Sequence, residues 1–182
     1  MIDFIKLIEK WNRVYNLTAV RDPVKMIPVH LLDSLSVLRY INGANIADVG
    51  SGAGIPGIPL AICQSDKKFV LVDSDAKKTR FMQQAVIELS LTNVRVCRAR
   101  VESFPETEQF DTVVCRAFSN IAEFVNFAGS LCKRAGRLLA LKGKHPGKEL
   151  AQLPTGYEVV TVDRLVVHGL ERQRHVVEIL KV

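Results

Sequence analysis

Along residues 2–17, Phe4, Ile5, Ile8, Trp11 and Tyr15 recur every three or four positions, with Asp3, Lys6, Glu9 and Lys10 between them. That period predicts an amphipathic helix. A second helical stretch is expected from Pro28 through His30, Leu31, Leu32, Leu35 and Leu38 to about Tyr40, where Asn42-Gly43 stops it. Beyond residue 44 the pattern changes to short apolar runs separated by helical stretches. Strands are predicted at 45–49, 69–73 (FVLVD), 94–98, 111–115 (DTVVC) and 137–141, with helices at 56–64, 76–89 and 120–132. Two further β-rich runs, 157–167 and 174–182, have no helix between them and read as an antiparallel pair. Strands alternating with helices specify a Rossmann-like α/β fold, a mostly parallel sheet with helices on both faces. Seven strands are expected, the last pair forming an antiparallel edge. With no internal repeat and no long linker, the chain reads as one domain. Residues 1–44 form its N-terminal helical segment and 45–182 its α/β core.

Composition narrows the class. In 182 residues, 48% hydrophobic content with 24% charge excludes disorder and leaves enough apolar surface for one core. The longest uncharged stretch, 49–65, carries four glycines and two prolines, so it is no spanning helix and no membrane association is expected. Asp3 and Glu9 interrupt the first apolar pattern, which is unlike a signal peptide. Cys63, Cys97, Cys115 and Cys132 form no C-x-x-C pair, and the four histidines show no ligand spacing. No metal site or disulfide framework is expected, and the reducing cytoplasm is the expected location. The formal net charge is +6, distributed as +2 over residues 1–45, zero over 46–110 and +4 over 111–182. This permits a nucleic-acid partner without demanding one; a solvated basic face is the alternative.

The string Asp48-Val-Gly-Ser-Gly-Ala-Gly-Ile-Pro-Gly57 follows the first predicted strand directly. Gly50, Gly52 and Gly54 permit a tight turn and close approach of a ligand, and the helix that follows offers free N–H groups. In such sheets ligands bind beyond the carboxyl ends of the strands. Gly52-Ala-Gly54-Ile-Pro-Gly57 also satisfies the dinucleotide spacing G-x-G-x-x-G, with Asp73 placed 21 residues after Gly52 as a ribose-binding acid. A nicotinamide-dependent oxidoreductase therefore stands as one reading. S-adenosylmethionine is the other: Asp48 ahead of the first glycine can organise the loop around an ammonium, and 182 residues leave little chain for a second substrate domain. Asp73 at the end of the second strand can accept from both ribose hydroxyls, or cap the 76–89 helix.

The fourth strand ends in Val114-Cys115-Arg116-Ala117-Phe118-Ser119. An Asn/Asp-Pro-Pro-aromatic string, which would hold an exocyclic amine towards a methyl donor, is absent there. Cys115 is the one thiol placed to attack a pyrimidine, but it continues a buried apolar strand. What remains is an acceptor needing no deprotonation; a guanine N7 is such a group, with its lone pair already exposed, and its methylation needs placement. Arg116 has donors for guanine O6 or for a cofactor oxygen, and Phe118 a ring on which a base can stack. A surface ion pair and a core aromatic are the equal alternatives. Lys142-Gly143-Lys144 is a basic turn able to meet phosphates, or simply a solvated one. A non-catalytic RNA-binding module is the third reading, carried by charge alone.

The chain resembles the bacterial 16S rRNA (guanine-N7) methyltransferase family, also called glucose-inhibited division protein B. The matching strings are Trp11-Asn-Arg-Val-Tyr-Asn-Leu-Thr18, His30-Leu-Leu-Asp-Ser34, Asp48 to Pro59, Leu71-Val-Asp-Ser74, Arg116-Ala-Phe118 and Leu141-Lys-Gly143. The resemblance implies a class I fold and S-adenosylmethionine-dependent methylation of guanine N7, without a metal. It implies 16S rRNA or the 30S particle as partner; the chain is expected to act as a monomer. Carried over by position, Gly50 and Ile55 would contact the cofactor. Val101 and Glu102 would lie beside its adenine, and Arg116 would be a cofactor-site arginine with a positioning role. Asp48, Gly52, Gly54 and Asp73 complete the cofactor candidates, and Arg13, Phe118, Lys142 and Lys144 are the RNA-contact candidates. The chain departs from the family in the short segment before Trp11, in Asp75-Ala-Lys-Lys78, and in Gln173-Arg174-His175.

Overall fold

Strand residues that alternate in direction send their side chains to two faces of the sheet, and this split builds the molecule. A computed structural model describes residues 1–104, 109–116, 118 and 120–182. Ala117 and Ser119 of the fourth-strand string lie outside the described residues. The strands are β1 (Asn45–Val49), β2 (Lys68–Asp73), β3 (Val94–Arg98), β4 (Phe110–Cys115), β5 (Cys132–Lys142), β6 (Tyr157–Leu165) and β7 (Arg174–Lys181). They form one sheet in the order β3-β2-β1-β4-β5-β7-β6. Strands β1 to β5 run parallel, and β7 pairs antiparallel with both β5 and β6.

On one face Ala47, Val49, Val70, Val72, Val113 and Leu138 pack against Ile121, Phe124 and Val125 of α6 (Ile121–Ala128). On the other, Leu71 packs with Phe4, Ile8, Ile58, Phe81 and Met82. These residues come from α1 (Ile2–Tyr15), α4 (Gly57–Cys63) and α5 (Ala76–Glu88). The period of two in each strand is what permits a helical layer on both faces. Helix α1 stops because Asn16 takes a left-handed conformation, one that asparagine tolerates better than most residues.

The second helical stretch differs from expectation. It starts earlier, as α2 (Pro23–Met26), where Asp22 caps the Val24 N–H and Pro23 occupies the first turn. It then widens into a π-helical stretch (Ile27–Leu32), returns as α3 (Asp33–Leu35), and ends in a 3₁₀ turn at Leu38–Tyr40. The fifth strand begins five residues earlier than its apolar pattern, across a register shift opposite Phe110 and Thr112 and a left-handed Ala135. The helix expected over 120–132 closes at Ala128 in a 3₁₀ turn, and a short α7 (Gly147–Leu150) was not foreseen.

Candidate active site

The loop between β1 and α4 folds back on β2. Gly50 N–H donates to the Val72 carbonyl at 2.8 Å, and Gly52 N–H to Asp73 Oδ2 at 2.8 Å. Gly52 has φ +59°, and a Cβ there would meet none of the described residues within 4 Å. Beneath the loop lies Asp48, fully buried, whose Oδ2 accepts from Gly57 N–H at 2.8 Å. Its Oδ1 has no partner among the described residues. Loss of water pushes the Asp48 carboxyl up to about 7, against the pull of the Gly57 and Ser51 hydrogen bonds.

A cavity of about 430 Å³ opens at the carboxyl ends of β1, β2 and β3. Gly50, Asp73, Ala99, Val101, Glu102 and Phe118 line it, with Lys78 and Arg100 beside them. That volume lies within the roughly 300–1,000 Å³ of small-ligand clefts. Asp73 is positioned by donors on both sides, Gly52 N–H on Oδ2 and Asp75 N–H on Oδ1 at 2.9 Å. Each oxygen keeps a further lone pair.

Five residues expected at the site from sequence, Gly50, Asp73, Val101, Glu102 and Phe118, share this one cavity. Phe118 joins both of its readings, since it borders the cavity and packs against Phe124 and Phe127 with ring centroids at 5.7 and 6.2 Å. Gly54 and Ile55 lie under the loop, buried against the α4 and α5 core. Cys115 is buried in β4.

Arg116 is held by Asp33. Its Nη1 donates to Asp33 Oδ2 and to the Val29 carbonyl, each at 3.2 Å, and its side chain is 28% exposed. The other Asp33 oxygen accepts from Arg174 Nε at 2.9 Å, while the carboxylate itself is 1% exposed. Burial pushes the Asp33 carboxyl up and the two guanidiniums pull it back down. Next to this junction, buried His30 hydrogen-bonds Thr18 Oγ1 at 2.9 Å; burial and the Arg116 charge push it down to about 4, so it is neutral at pH 7. Asn12 extends the chain, accepting from Thr18 N–H and donating to the Val20 carbonyl.

The RNA-contact candidates separate. Lys142 is 12% exposed in its side chain, and its Nζ lies 2.9 Å from Glu149. Arg13 pairs with Glu9 on the exposed side of α1. Lys144 is exposed and lines a second cavity, of about 540 Å³, with Gly143, Arg172, Gln173 and Arg174.

A family model described as rRNA small subunit methyltransferase G matches residues 1–177. The chain belongs to that family. A relative named ribosomal RNA small subunit methyltransferase G from Methylococcus capsulatus is 49% identical over 179 residues, covering 98% of this chain and 87% of its own. One of the same name from Nitrosospira multiformis is 50% identical over 184 residues, covering 97% and 85%. Among solved structures, a SAM-dependent methyltransferase from Aquifex aeolicus superposes with TM-score 0.67 at 19% identity, covering 99% of this chain and 98% of its own. TrmN from Thermus thermophilus gives TM-score 0.69 at 19% identity, covering 94% and 53%. The fold is that of class I S-adenosylmethionine-dependent methyltransferases. Nothing in these matches supports the oxidoreductase reading.

The residues present fit the adenosyl group such enzymes use. Asp73 offers acceptors for two ribose hydroxyls, Ala99 and Val101 an apolar wall for a base, and Gly50 and Gly52 a backbone without side chains. The unpartnered Asp48 Oδ1 adds a buried negative end beneath the loop. The element of the site that no local pattern announced is Asp33 and its clamp on Arg116 and Arg174. Its trace in the sequence is a charged residue inside the apolar run Ile27–Leu35.

Proposed function

We propose that this chain transfers the methyl group of S-adenosylmethionine to N7 of a guanine in 16S rRNA. The observation that carries the reading is the single cavity of Gly50, Asp73, Val101, Glu102 and Phe118 in a chain matched by the family over residues 1–177. In this reading the Asp73 oxygens take the ribose hydroxyls, Val101 and Glu102 flank the adenine, and the Gly50–Gly54 backbone surrounds the methionine part. Phe118, at the cavity wall, stacks on the target base and excludes water from it. Arg116, fixed by Asp33, places a guanidinium at the β4 end to orient guanine O6 or a cofactor oxygen. When bound, the cofactor supplies an electrophilic methyl on a sulfonium; the N7 lone pair forms the new bond while the carbon–sulfur pair returns to sulfur.

N7 is favoured over other acceptors by what β4 carries. Cys115 is buried, its string lacks Asn/Asp-Pro-Pro, and no base is needed for a lone pair that is already free. Placement is then the main catalytic resource of these residues. The reading puts the chain in the cytoplasm with 16S rRNA or the 30S particle as partner, acting as a monomer. The test uses labelled methyl donor with bare 16S rRNA, 30S particles and tRNA. Label should appear as N7-methylguanine in 16S rRNA alone, and its absence from both 16S-containing substrates would end the proposal.

A further inference from the structure

A second cavity opens where β5 ends and β7 begins, strands paired in register at Lys142 and His175. This is the carboxyl edge of the parallel sheet, the edge that also carries the cofactor cavity. Among the described residues its lining is three cations, Lys144, Arg172 and Arg174, with Gln173 and Gly143, and no carboxylate. Among the described residues neither Lys144 nor Arg172 has an ion-pair partner, and both are exposed. Two positive charges are therefore left uncompensated next to a third.

Arg174 is not free to wander. Asp33 holds its Nε at 2.9 Å, and the Gln173 carbonyl accepts from its Nη1 at 3.1 Å. The same buried carboxylate holds Arg116 at 3.2 Å. One rigid anion thus fixes the arginine of this cavity and the arginine at the β4 end relative to each other. A Cβ at Gly143 would come no closer than 3.9 Å to Arg174 Nη1, so the turn leaves room above the guanidinium.

We infer that Lys144, Arg172 and Arg174 form a binding site for a backbone phosphate of the RNA strand that carries the target guanine. A guanidinium presents paired donors matched to phosphate oxygens, and two flexible cations close around the remaining charge. Held through Asp33, the phosphate contact sets the register of the strand against Arg116 and Phe118. This site rests on the rRNA methyl-transfer reading and extends it to where the substrate backbone lies.

The double variant Lys144→Gln/Arg172→Gln tests it, because both side chains are exposed and unpaired and their loss leaves the fold intact. Methylation of 16S rRNA and of 30S particles is measured across a potassium chloride series, with S-adenosylhomocysteine affinity measured in parallel by calorimetry. KM for the RNA substrate should rise about tenfold or more. The slope of log KM against log salt should flatten by about one to two units. The maximal rate should fall with the lost register, while S-adenosylhomocysteine affinity stays as in the parent. Each single variant should show a smaller shift of the same sign. An unchanged KM and salt slope in the double variant would overturn the site while the parent's labelling of 16S rRNA leaves the function standing. A parent that labels no RNA defeats the functional reading itself.

Discussion

At the scale of single residues, Asp48 carries the most unusual environment in the site. It is fully buried, one oxygen is bound to Gly57 N–H, and the other is unpartnered. Raised to about 7, its carboxyl is largely protonated below neutrality, and a cation brought into the loop favours the ionised form. Cofactor binding should therefore release a proton, and affinity should rise as pH climbs towards and past 7. Measured by calorimetry with S-adenosylhomocysteine between pH 5.5 and 7.5, the parent should gain about tenfold more affinity than Asp48→Asn. The asparagine variant keeps an acceptor for Gly57 but cannot titrate, so it subtracts the ligand's own ammonium. Parallel pH profiles for the two proteins would refute the role. In the free protein the sign is reversed. The native carboxyl keeps a proton that the unfolded chain has given up, so this group's stabilising contribution fades as pH rises from about 4 through 7. Much of this site was legible before the fold was known, because loop glycines and strand-end acids are local signals. The Lys142–Glu149 pair was not, since Glu149 sits on a short helix that the sequence did not announce.

At the scale of elements, the strands were easiest to read. Runs such as FVLVD and DTVVC are buried on both faces, so their apolar content survives any detail of packing. The segment 23–40 was harder, because Asp22-Pro23 starts it ahead of the apolar pattern and a π-helical stretch breaks the 3.6-residue period. The reason for that geometry is tertiary. The Val29 carbonyl accepts from Arg116, and Asp33 meets Arg116 and Arg174, partners 83 and 141 positions away. No local window contains such pairs. Asp33 accordingly ties the N-terminal segment to the end of β4 and the start of β7. Asp33→Ala would leave two guanidiniums facing each other without a counter-charge, a loss of about 3–5 kcal/mol. For a chain of this size that corresponds to a fall in Tm of roughly 6–20 °C. Arg174→Met in the same background should recover part of it, because one stranded charge is then removed. A Tm for Asp33→Ala equal to that of the parent would show that the junction carries no stability.

At the scale of the whole molecule, the sheet has two edges and each has a cavity. The carboxyl edge carries Gly50, Asp73 and Val101 around about 430 Å³; the opposite edge carries Lys68, Asn93 and Arg95 around about 460 Å³. Size does not choose between them. Topology does, because ligands in such sheets bind beyond the carboxyl ends of the strands, where the glycine loop meets Asp73. A ligand bound to the native state alone adds about 2.7 kcal/mol at a concentration of 100 Kd, which for this chain length is a rise in Tm of roughly 5–10 °C. S-adenosylhomocysteine should produce that rise, and NAD at the same concentration should produce none. Asp73→Ala should abolish the rise by removing both ribose acceptors, whereas Lys68→Ala on the opposite edge should retain it in full. If NAD alone stabilised the protein, the glycine loop would be serving a dinucleotide. If the Asp73 variant still responded to S-adenosylhomocysteine and the Lys68 variant did not, the nucleoside would sit on the wrong edge of the sheet, and the placement of guanine against Arg116 and Phe118 would fall with it.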